Sequence, residues 1–316
     1  MNAAPQLALA QPFRPRLITL PDELPPDWPG IHDDISIEAY HAMPGISRTG
    51  LDMIHRSPAH FYGWHIDPLR PERRERAGQL EGTLAHCALL EPREFSKRYV
   101  TEPVNAPRRP TSIQRNAANP SPNTIKSIAF WDEFEAKSEG KTIITVAQYE
   151  TAMRQAQSMR KLPDVAEALE HGKPEVTACW IDARTGEMCR CRPDWVQDHG
   201  ADQVSLLDVK TCGDASAAEF RRQIARKRYH VQDAFYCDGF ASAGKVAVMS
   251  FTFVAVESEW PYQAQAIAIE DKSREQGRRE YRRDLLLYAQ CRRRDEWPGY
   301  GQEIQLVDLP PWAFDN

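Results

Sequence analysis

Cys191-Arg192-Pro193-Asp194 and Leu207-Asp208-Val209-Lys210 are two short strand-like runs separated by a turn-rich stretch, His199-Gly200-Ala201-Asp202. That stretch is short enough to fold the second run back on the first as a hairpin. Alternate side chains of a strand share a face, so Asp208 and Lys210 point the same way. Asp194 follows a proline at the end of the preceding strand, where it can meet them. An Asp-x-Lys on a strand is common and usually marks a solvated ion pair. Here the run from Val204 to Val209 is mostly apolar, so Asp208 ends a buried strand, where an unpaired carboxylate is costly. Two acids and a lysine so placed can hold a hard divalent cation against a phosphodiester. Such cations take carboxylate and phosphate oxygens, and the lysine can position a water or neutralise phosphate charge.

The segment after the hairpin, Ala217 to Phe240, reads as one helix with an apolar stripe of Phe220, Ile224, Val231 and Phe235. On it Arg228, Gln232 and Tyr236 recur every four residues and share a face. A polar stripe of this kind suits a helix beside a metal site, the amide and phenol bracketing Lys210 and Arg228 reaching a phosphate; the plain alternative is a half-exposed helix face. Upstream, Gly82 to Pro92 is a helical run carrying His86. A lone histidine on an apolar helix is more often a core residue than a ligand. Arg48 stands at a helix start after Ser47, where amides and a cation can take a phosphate or simply face solvent. Alternation puts Arg190 and Arg192 on the strand face of Asp194, so Arg192 is a second candidate for substrate contact or for electrostatic support of the site.

The ordered set of motifs resembles the PD-(D/E)xK nuclease superfamily, in particular its RecB-like branch and the RecE-type (exodeoxyribonuclease VIII) family of phage exonucleases. The matching stretches are Tyr40–Ser47, Gly82–Pro92, Cys189–Asp194, Asp208–Thr211, Tyr229–Tyr236 and the closing Leu309–Ala313. The resemblance implies a restriction-endonuclease-like α/β core, a central mixed sheet flanked by helices. It also implies a two-metal exonuclease using Mg²⁺ or Mn²⁺, with ligands from His86, Asp194, Asp208 and the Val209 carbonyl. Lys210 would lie near the attacking water, and Gln232 and Tyr236 would hold it. From the same source come 5′→3′ polarity on linear double-stranded DNA ends, a ring-like homo-oligomer, a single-strand annealing recombinase as partner and a phage or prophage setting. Alternatives with the same site are a structure-specific endonuclease or a single-strand exonuclease; outside catalysis, a DNA-binding protein. Glu175, which opens its strand, reads as an acid that supports the ligands from behind and stays outside the ligand set.

Composition bounds the rest. At 316 residues with 41% hydrophobic content, the chain can build a sizeable core. No apolar stretch is long enough for a bilayer span, and no signal peptide is indicated. Seven cysteines without framework spacing point to a reducing, cytoplasmic compartment. The absence of Cys-x-x-Cys counts against zinc and an iron–sulfur cluster, and Cys189 and Cys191 read as core thiols. A net charge of −5 does not exclude DNA, because only the face that meets phosphate must be basic.

Residues 1–35, rich in proline, read as an irregular arm, and 36–316 as one nuclease-like domain. Within it 105–127 reads as a mobile loop. Expected helices are Arg48–His55, Pro58–Trp64, Ile128–Glu135, Val146–Arg160 and Asp271–Arg292. Expected strands are Glu175–Ile181, Met188–Val196, Val246–Val256 and Ala264–Ile269.

Overall fold

The longest apolar run of the hairpin, Gln203–Cys212, forms the middle strand of a five-stranded mixed sheet. The computed structural model describes residues 28–72, 77–310 and 313. The expected arm therefore lies outside the described residues up to residue 27, as do Pro311 and Trp312 of the closing motif. Gln203–Cys212 pairs antiparallel with Trp195–Gly200 and parallel with Ala247–Glu257. Gly172–Pro174 and Ala264–Ala268 form the two edges, both antiparallel to their neighbours. Parallel neighbours need a crossover, supplied here by helices Ala217–Arg226 and Tyr229–Gly244.

The period of two along the central strands divides the core. Leu206, Phe251 and Phe253 pack with Phe220, Phe235 and Phe240 of the crossover helices. Leu207, Val209, Val254 and Val256 face the other way, onto Leu84 and Ala88 of helix Gln79–Leu90 and Ala156 and Met159 of helix Val146–Arg160. Helices thus cover both faces of the sheet, the α/β sandwich expected from the order of elements.

One expected strand is in fact broken, Met188–Val196 dividing into Met188–Cys191 and Trp195–Gly200; the strand expected from Glu175 starts at Thr177, and a further strand, Gly172–Pro174, precedes it. At both places consecutive strands belong to different sheets, since Thr177–Ile181 and Met188–Cys191 join Ile31–His32 in a separate three-stranded sheet. The reason is local. Pro193 and Pro174 have no N–H to continue a ladder, and Glu175 takes φ +55°. Asp194 therefore opens a strand rather than closing one, and Arg190 and Arg192 do not share its face. Cys189 and Cys191 are buried in the core, as read.

The single helix expected over Ala217–Phe240 is also divided, at Arg228 (φ +55°). An arginine in the left-handed region is uncommon and must be held there by its surroundings. Three carboxylates hold it: Asp52 at 2.8 Å, Glu280 at 3.3 Å and Asp284 at 2.6 Å. Within 105–127, Thr111 caps a helical turn at Ser112–Arg115, and the following helix starts at Pro122 rather than Ile128. A short parallel pair, Tyr99–Thr101 with Thr142–Ile144, was not read from the sequence.

Candidate metal and phosphodiester site

Strand alternation places Asp208 and Lys210 on the face of the crossover helices, while Val209 turns to helix Gln79–Leu90. Asp208 is only 3% exposed. Its two carboxylate oxygens accept from the Gln232 amide at 2.9 and 2.8 Å, and it forms an ion pair with Lys210. The Gln232 amide thus serves the aspartate rather than the lysine. Burial works against the Lys210 ammonium, yet the carboxylates of Asp208 and Asp194 outweigh it and raise its pKa above the ordinary lysine value. The ammonium lies 5.2 Å from the Tyr229 ring centroid. Tyr236, one turn beyond Gln232, lines the cleft and meets Phe251 edge-on.

On the other side of the strand, the Asp194 carboxylate accepts the Val209 N–H at 2.6 Å. His86 closes this corner, Nε2 at 3.0 Å from the Val209 carbonyl oxygen and Nδ1 at 3.4 Å from Asp194 Oδ2. A carbonyl only accepts, so Nε2 carries the proton and Nδ1 of a neutral ring presents its lone pair to a carboxylate. The Val209 carbonyl, expected as a ligand, is engaged by the histidine.

Glu175 completes the corner. Its N–H donates to the Asp194 carbonyl at 3.0 Å, across the point where both strands change sheet. Ligand atoms of His86, Glu175 and Asp194 lie within 4.8 Å of one another. Lone pairs of one imidazole and two carboxylates so close need a proton or a cation between them, and this nitrogen and oxygen set suits a divalent cation. The carboxyl groups show the same conflict. Burial, then the Asp194 charge, pushes Glu175 up to about 8. Burial, then Asp208, pushes Asp194 up to about 6.

That conflict has a measurable sign. A carboxyl whose folded pKa is raised costs stability once pH exceeds its unfolded value, and the cost grows until the folded pKa is passed. In the presence of a chelator, the melting temperature should therefore fall between about pH 5 and 8. Mg²⁺ at pH 8 should restore it, and Glu175→Gln should flatten the decline. A flat profile for the unsubstituted protein would show that these acids are not in conflict.

The site opens on a cleft of about 1780 Å³, lined among others by His86, Glu175, Asp194, Thr211 and Tyr236. The three arginines expected at the substrate are all engaged. Arg48 lines the cleft but lies 3.0 Å from Asp52 and donates to the Lys227 carbonyl. Arg192 donates to Thr177 Oγ1 at 2.8 Å and to the Ile35 carbonyl, its guanidinium over the Tyr40 ring. Arg228 sits in its carboxylate cage and does not line the cleft. The structure thus brings together His86, Asp194, Asp208, Val209, Lys210 and Gln232, and adds Glu175. The signal for Glu175 was present in the chain: Pro174-Glu175 repeats the pattern of Pro193-Asp194.

A mixed sheet covered by helices, with Asp194, Asp208 and Lys210 gathered at its central strand, defines a PD-(D/E)xK domain. Residues 47–310 match a family described as a PDDEXK-like domain of unknown function (DUF3799), and the chain belongs to that family. No curated protein matches it in sequence. Among solved structures it is similar to one from Eubacterium rectale named "Putative exonuclease", at 9% identity and a TM-score of 0.52. The likeness covers 84% of this chain and 90% of that one, and it shows a shared restriction-endonuclease-like fold.

Proposed function

We propose that this protein is a metal-dependent DNA exonuclease that degrades one strand of linear duplex from its 5′ end and leaves 3′ single-stranded tails. The observation that carries the reading is the adjacency of two units: the His86–Glu175–Asp194 corner, which opens on the cleft, and the buried Asp208–Lys210 ion pair, whose carboxylate acts on Asp194. His86, Glu175 and Asp194 would hold Mg²⁺ or Mn²⁺, with Asp208 beside them. Bound there, the cation supplies Lewis-acid stabilisation of phosphate charge and a more acidic water.

The chain's own residues do the remainder. Lys210, whose ammonium is favoured by its carboxylate neighbours, donates to the phosphate or its attacking water and offsets developing negative charge. Asp208 fixes the ammonium, and Gln232 fixes Asp208. His86, through Nε2 on Val209, keeps Nδ1 aimed at the corner. Polarity, duplex preference and a role in recombination rest on the resemblance to RecE-type exonucleases. So do a ring-like homo-oligomer and an annealing partner.

The test is digestion of 5′- and 3′-labelled linear duplex beside a closed circle, with Mg²⁺, with Mn²⁺ and with chelator. The expected result is metal-dependent loss of the 5′ label first, the circle remaining intact. Nicking of the circle would assign an endonuclease. Loss of the 3′ label first would reverse the polarity, and no hydrolysis with either metal would end the enzymatic reading.

A further inference from the structure

Arg48, Arg192 and Arg228 each already hold a contact within the fold, and the more open cations lie elsewhere. Helix Ala217–Arg226 offers them. Its inner face is fixed by Phe220, fully buried, which packs on Tyr229 at 5.8 Å; Tyr229 in turn lies beneath Lys210. Its end abuts the cleft, because the Lys227 carbonyl accepts from Arg48, and Arg48 lines the cleft wall.

The outer face is different in kind. Arg221, Arg222, Arg226 and Lys227 are exposed. Arg222 reaches Glu219, one turn back, at 2.6 Å. The side chains of Arg221, Arg226 and Lys227 have no ion pair or hydrogen bond among the described residues. Arg222 and Arg226 stand four residues apart, a like-charge spacing that weakens a helix. Ala217 and Ala218 stand one turn before Arg221 and Arg222, and Ala225 stands beside Arg226, small residues that leave room for a backbone to approach. Glu219 offsets Arg222 alone; Arg221, Arg226 and Lys227 have no compensating partner among the described residues, which points to a partner outside the fold. In a chain of net charge −5, a free basic stripe at the cleft rim is a concentrated field. A ten-residue helix is about 15 Å long, enough to follow several phosphates spaced about 3.4 Å along a duplex axis.

We infer that Arg221, Arg226 and Lys227 form the surface on which the phosphate backbone of duplex DNA lies beside the cleft. The inference deepens the nuclease reading and rests on it. Each neutralised phosphate contributes about 0.9 to the slope of log affinity against log salt.

The experiment measures binding of a labelled linear duplex over a salt series, in chelator so that nothing is cut. It compares the protein with R221Q/R226Q/K227Q and with R221K/R226K; Lys227→Gln keeps the carbonyl that holds Arg48. The triple substitution should lower the slope by about two to three and weaken binding at least tenfold at low salt. The lysine variant should keep the slope, because a phosphate contact needs charge. Calorimetric Mn²⁺ binding, which reads the His86 corner, should be the same in all three. Duplex binding with unchanged slope in the triple variant would overturn the inference and leave the nuclease reading standing. A loss confined to single-stranded oligonucleotide would overturn the duplex assignment. No duplex binding by the unsubstituted protein would overturn both.

Discussion

Asp208→Asn and Lys210→Met should each lower metal-dependent hydrolysis at least ~100-fold, the scale on which positioned charges act in a desolvated site. The two residues form one unit, Lys210 held by Asp208 and Asp208 held by Gln232. Substituting both should therefore cost little more than substituting either, as with other groups that act together. Lys210→Met also leaves a buried carboxylate with the Gln232 amide as its remaining side-chain donor, so its melting temperature should fall as well. Asp208→Asn keeps the shape and separates chemistry from folding. Initial rates on linear duplex, read beside thermal melts, decide the matter. A folded Asp208→Asn variant with more than about a tenth of the original rate would remove Asp208 from the chemistry.

Gly277→Ala should be among the most damaging single substitutions away from the site. Propensity alone argues the reverse, since alanine is favoured over glycine within a helix by about 1 kcal/mol. Packing decides the sign. A Cβ at Gly277 would overlap the His230 carbonyl, with Val231 N also too close, and backbone cannot swing aside as a side chain can. Helices Asp271–Arg294 and Tyr229–Gly244 are pinned next to this contact, by Arg274 with Asp233 and by Arg278 with Asp238 at 2.8 Å. Overpacking of that kind costs about 3 kcal/mol or more, outweighing the propensity gain. Because Tyr229, Gln232 and Tyr236 ride on the displaced helix, activity should fall with stability. An unchanged denaturation midpoint would mean that the two helices separate freely.

How far the chain could be read depended on whether local chemistry and tertiary demand agreed. Asp208, Val209 and Lys210 were legible as a unit because a strand's period of two allows one arrangement of faces. The apolar run before them announced the central strand. Helical periodicity misled at Arg228, whose break is imposed by carboxylates from Asp52, Glu280 and Asp284. No pattern within Ala217–Phe240 encodes that cage. Charge pattern could not show that Arg192, which lines the cleft, also ties the strand to Ile35 and Thr177. Glu175 escaped because its role depends on two strands parting at the same level, although the repeated Pro-acid pair marked both partings.

Those partings give the domain an unusual joint. Two neighbouring strands leave one sheet and enter another, bridged at that level by the Glu175 N–H on the Asp194 carbonyl. The side chains of these same two residues form the corner suited to a cation. An ion seated there would act as a rivet through the joint, clamping the two sheets as well as serving chemistry.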